Sequence, residues 1–135
     1  MSSYATVTDL TTYGINPVAV ANIDAVTLQN QCNAASGIAD GYLAGRYNMP
    51  LLTPYSPALV MYVTWIAAFL TMSVRGYNPD AGADALILDK YEKAVAWLEG
   101  VQRQRIHDPA IIQSAIAPPA YQLPQVLTKP ARWRL

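Results

Sequence analysis

Apolar positions recur at helical spacing through two long stretches of the chain and fill a third almost without interruption. Leu28, Cys32, Ala35, Ala39, Tyr42 and Arg46 step by four and three, which places them on one face of a helix from about Asp24 to Tyr47, capped by Asp24. Ile87, Tyr91, Ala94, Leu98 and Val101 repeat the pattern and predict an amphipathic helix from about Asp84 to Val101. Its exposed side carries Asp89 and Lys93 four residues apart, and Leu88 and Trp97 widen its apolar stripe. Between the two, Ala58 to Val74 runs for seventeen residues without a charge. Ser56-Pro57 opens that segment as a helix start, Arg75-Gly76 closes it, and Tyr77-Asn78-Pro79-Asp80 reads as a turn. Near the amino terminus Thr6 and Asp9 have the spacing of a capping box, so a short helix should begin there and stop at Gly14. Asn16-Pro17 then marks a turn, and Val18 to Ile23 is too short to assign between helix and extended chain.

The charge-free segment has two readings. As a helix it would be roughly 26 Å long, somewhat short of a hydrocarbon core of about 30 Å, and it carries Thr64, Thr71 and Ser73. A buried central helix is therefore expected, with a membrane-associated protein inserted through residues 58–74 as the alternative. Gly37, Gly41 and Gly45 recur every four residues in the preceding helix, a spacing that would allow close approach of another helix. Pro50, Pro54 and Pro57 make Asn48 to Tyr55 a connection.

After His107 the pattern changes. Pro109, Pro118, Pro119, Pro124 and Pro130 interrupt a stretch that also holds Ile111, Ile112, Tyr121, Leu123, Val126, Leu127 and Trp133. Such a segment cannot be one helix, and it is too apolar for an ordinary disordered tail. It is expected to be an extended arm that orders on a partner, or else one wrapped on its own domain. The reading is thus an all-α fold: a four-helix domain over residues 1–107 and an extended, proline-rich arm over 108–135.

Charge sharpens that division. The chain is neutral overall, but residues 1–100 hold four basic groups against eight acidic ones, whereas residues 101–135 hold five against one. An acidic body with a basic tail suits contacts between molecules and argues against tight binding of nucleic acid, which also makes a DNA-packaging accessory a poor fit. Cys32 is the single cysteine, so no intrachain disulfide is available and a reducing cytosol is the expected place of synthesis. The start MSSYATVTDL lacks the charged and apolar regions of an export signal.

Catalytic chemistry has little to stand on. His107, the only histidine, adjoins Asp108 where the helices end, a position that suits a helix terminus better than general-base work. Cys32 lies on an apolar face and should pack there. Asp80-Ala81-Gly82-Ala83-Asp84 lacks the ligand ladder and closing Glu of a calcium loop, and no phosphate-binding glycine motif occurs. We therefore expect no enzyme, no metal and no cofactor. Arg46 should pair with an acidic residue of its own chain or of a neighbour. Trp65 and Trp97 should be core, while Trp133, between Arg132 and Arg134, is the best anchor for another chain.

Three segments carry a resemblance: Tyr4-Ala5-Thr6 with Asp9-Leu10; Ile38-Ala39-Asp40-Gly41-Tyr42-Leu43-Ala44-Gly45-Arg46-Tyr47 followed by Pro50-Leu51; and Tyr91-Glu92-Lys93-Ala94-Val95-Ala96-Trp97-Leu98. In this order they resemble the small connector family of Mu-like phages and prophages, related to the head-tail adaptors of long-tailed phages, over about residues 4–107. The resemblance implies a four-helix adaptor in the virion neck that forms a ring under the portal, commonly a dodecamer. Such a ring leaves a channel through which DNA passes without specific binding, and it seats the next neck or tail protein. It also implies that the arm reaches the portal, through Pro118, Pro119, Tyr121, Leu123, Pro124, Lys129, Arg132, Trp133 and Arg134. Tyr42, Arg46 and Tyr47 become candidate contacts between subunits. The sequence departs from the pattern in a connection unusually rich in proline and tyrosine and in the length of the arm.

Overall fold

The structure, a computed structural model, describes residues 3–75 and 82–115. It is all-α, and among the described residues the only β contact is an isolated antiparallel bridge between Leu52 and Ile112. Helix α1 (Val7–Asp9) opens on the expected capping box: Thr6 Oγ1 accepts from Asp9 N at 3.1 Å and Asp9 Oδ2 accepts from Thr6 N at 3.0 Å. The helix then widens into a π-turn over Leu10–Gly14. Gly14 sits where a Cβ would come within 3.1 Å of Thr64 and 3.2 Å of Ala68, so the turn lies directly on the central helix. The unassigned stretch after Asn16 is a 3-10 turn, Pro17–Val20, whose first free N–H, on Val18, is taken by Asn16 Oδ1.

Helix α2 (Ala25–Leu43) is capped by Asp24 as expected and buries Leu28, Cys32, Ala35 and Ala39, but it ends four residues before Tyr47. Around Gly45 the chain tightens, and Arg46 N and Tyr47 N both donate to the Leu43 carbonyl. Gly37, Gly41 and Gly45 would each meet nothing within 4 Å on gaining a Cβ. Among the described residues no helix makes the close approach expected at these glycines.

Helix α3 (Pro57–Arg75) is the central element, touched by α2, α4 and the π-turn. Leu59, Val63, Ile66, Ala67 and Met72 are fully buried on it. Its buried hydroxyls are satisfied locally, Thr64 donating to the Val60 carbonyl and Thr71 to that of Ala67. The turn expected at residues 77–80 lies outside the described residues. Helix α4 (Gly82–Gln102) runs antiparallel to α3, with Tyr62 stacked on Trp97 and Phe69 on Tyr91. Trp65 and Trp97, expected as core, are half-buried and pack against it from the α3–α4 seam. Asp89 and Lys93 pair across one turn at 3.0 Å, both well exposed.

The end of α4 is a left-handed cap. Gln104 has φ 62°, and Arg105 N and Ile106 N both donate to the Gly100 carbonyl. Ile106 folds back so closely that a Cβ on Gly100 would lie 2.5 Å from its Cδ1. Gly100→Ala is expected to cost roughly 1–3 kcal/mol by overpacking, whereas Gln104→Gly should stabilise by about 0.5–1 kcal/mol by relieving the positive φ. Urea unfolding of the two variants measures both shifts.

Candidate functional site

Three chain ends meet at one end of the bundle: the close of α2, the start of α3 and the close of α4. Arg46 joins them. Its Nη1 donates to the Val101 carbonyl at 2.8 Å and to the Ile106 carbonyl at 3.0 Å, and its guanidinium stands 5.3 Å from the Tyr47 ring. The expected partner was a carboxylate; the actual partners are carbonyls at the end of α4, where a cation meets the negative end of the helix dipole. Tyr42 is half-buried against the core, and Tyr47 is half-buried with a hydroxyl that is shielded from solvent and has no hydrogen-bond partner among the described residues. An unpaired hydroxyl there costs free energy, so Tyr47→Phe is expected to raise stability by up to about 1 kcal/mol in thermal unfolding.

The connection that follows holds the beginning of the arm. Ser56, itself buried, donates to the Asp108 carboxylate. Leu52 N donates to Ile112 O at 2.8 Å, Ser114 N to Asn48 O at 3.1 Å, and Asn48 N to Gln113 Oε1 at 2.9 Å, while Ser114 Oγ donates to the Pro50 carbonyl. Ile111 packs on the core. Residues 108–115 are therefore a strap tied to residues 48–56 and running antiparallel to them, so the chain leaves toward the end of α2. The residues beyond, including Pro118, Pro119, Tyr121, Leu123, Pro124, Lys129, Arg132, Trp133 and Arg134, lie outside the described residues. The alternative of an arm wrapped on its own domain was open from the sequence, but these particular contacts were not legible there, being one-off pairings with no period. Asp108 was the one visible clue, a carboxylate followed by proline just past the helices.

The titratable groups are held by burial. Tyr4 lies under the start of the chain, its N–H on Ser36 Oγ and its hydroxyl donating to Asp40, with Tyr55 edge-on at 4.8 Å. Burial first, then the bond to Asp40, raises its pKa far above the ordinary tyrosine value. Burial likewise pushes the Cys32 thiol from 9.0 up to about 11, with Asp9 adding to it. Both folded-state values lie above the unfolded ones, so the stability involved is complete below pH 9 and is lost as pH rises. Denaturant titrations should show a flat profile to about pH 9 and a decline above it, which in Cys32→Ala begins nearer pH 10.

His107 is exposed at the mouth of the strap, and Cys32 is fully buried in the core. Among the described residues no group of three or more His, Cys, Asp or Glu side chains could hold a metal ion. Asp80 of the weak calcium-like run lies outside them, and Asp84 is buried on the first turn of α4. The arrangement offers anchoring geometry: an end of the bundle at which the described strap finishes, with a basic, proline-rich sequence following it.

A family model described as bacteriophage Mu, Gp36 matches residues 2–122, a span that takes in the whole bundle, the strap and the first residues beyond it. No curated protein matches the chain.

Proposed function

The chain belongs to the bacteriophage Mu Gp36 family and is a Mu-like phage protein, and from that premise we propose that it is a non-enzymatic structural subunit of the virion neck, a head-tail connector. Copies of it assemble into a ring under the portal, the ring leaves a channel for DNA, and its far side seats the next neck or tail protein. The observation that carries this reading is the strap: it fixes the point at which a chain segment with three basic and no acidic residues leaves the bundle. A segment anchored rigidly at its root and rich in apolar and basic groups beyond it suits docking on a larger partner, here the portal. A chain of the length of residues 116–135 can span at most roughly 65 Å, enough in length to meet a neighbouring molecule. The acidic balance of residues 1–100 suits a DNA path that does not grip phosphate.

One observation favours the other reading: Pro57–Val74 is long and apolar enough to cross a membrane. Its place between α2, α4 and the π-turn, with its deepest side chains covered by them, supports the role of a core helix. Phage carrying a null allele of this protein test the proposal. The connector reading expects full heads and finished tails to accumulate unjoined; normal joining would contradict it, and recovery of the purified chain only in detergent would favour the membrane reading.

A further inference from the structure

Among the described residues, the exposed large apolar side chains are gathered mostly at the end of the bundle opposite the strap. Because Tyr62 pairs with Trp97 and Phe69 with Tyr91, Val74 falls beside the first turns of α4, and the parallel course of α2 and α4 brings Val26 to the same end. There a groove of about 430 Å³ opens between the π-turn and α4, lined by Tyr13, Ile15, Pro17, Leu86, Ile87 and Lys90. Ile15 and Ile87 form its buried floor, while Tyr13 and Leu86 each keep 53% of their surface exposed at its rim. Large side chains this open at a concave site are the usual anchors of a protein contact. Among the described residues of the lining Lys90 is the single charged one, its ammonium 5.5 Å from the Trp65 ring.

We propose that this groove is the seat for the next neck or tail component, and that it receives a segment presenting an apolar side chain beside a carboxylate. The apolar floor and open rim select the first feature, and the lone cation selects the second by charge complementarity. The inference rests on the connector reading. A subunit held between two partners must offer each of them a surface, and the described strap finishes at the opposite end of the bundle.

The test uses full-length protein, capsids lacking it, and purified tails. The variants are Tyr13→Ser with Leu86→Glu, and separately Lys90→Glu; all three positions are at the surface of the groove, and thermal unfolding confirms that each variant is folded. The expected result is capsid co-sedimentation equal to wild type with infectious titre after tail addition reduced at least about tenfold. Undiminished joining by both variants would overturn the groove assignment and leave the connector reading standing. Loss of self-association in light scattering, with joining by pre-assembled rings intact, would overturn it in favour of a second copy as the occupant. Failure of the wild-type chain itself to bind capsids would overturn the connector reading, and the groove assignment with it.

Discussion

Ending the chain after Ala115 should leave the bundle as stable as the full-length protein while abolishing its binding to the portal; ending it after His107 should destabilise the bundle by about 2 kcal/mol. The second figure follows from what the strap contributes. The backbone bonds of Leu52 with Ile112 and of Asn48 with Ser114 are worth about 1 kcal/mol each, but ordering eight residues offsets most of that gain. What remains is the Ser56–Asp108 contact, at roughly 1.5–3 kcal/mol for a bond to a charged group, and the partial burial of Ile111. Removing Asp108 also strands the buried Ser56 hydroxyl. Urea unfolding of the two truncations, beside a portal-binding assay of each, separates the strap from the segment beyond it. Equal stability of the two would mean that the strap holds nothing.

Arg46→Ala is expected to cost about 2–3 kcal/mol, the scale of charge-assisted bonds to the Val101 and Ile106 carbonyls. Arg46→Lys should recover little of this. A single ammonium on a flexible stem does not reproduce the planar guanidinium that meets Val101 O and Ile106 O while lying near the Tyr47 ring. An ion pair with a carboxylate would behave differently, being largely restored by lysine and weakened by salt. Chemical denaturation of wild type, Arg46→Ala and Arg46→Lys at low and high sodium chloride therefore reads the identity of the partner directly. Salt sensitivity close to wild type in all three is the expected outcome.

What the sequence made visible was whatever repeats or is local. The steps from Leu28 to Ala39 and from Ile87 to Val101 placed the buried faces of α2 and α4. The caps at Thr6 and Asp24 were legible because a cap and the N–H it takes lie within three residues of each other. Contacts made across the chain were not. Arg46 reaches carbonyls 55 and 60 residues away, and a carbonyl acceptor has no residue identity to search for. The tie between Ser56 and Asp108 spans 52 residues, and the prolines on either side masked it as two unrelated loops. The spaced glycines of α2 misled in the other direction, for their spacing implied a close neighbour that the bundle does not supply. The groove at the opposite end was also invisible, because Tyr13 and Leu86 meet only once α1, the π-turn and α4 are assembled.

The most direct measurement is size-exclusion chromatography with light scattering on detergent-free protein, alone and mixed with the portal. The connector account predicts a shift to a multi-copy complex that forms with the full chain and not with the chain ended after Ala115. A full-length chain that ignores the portal would contradict it.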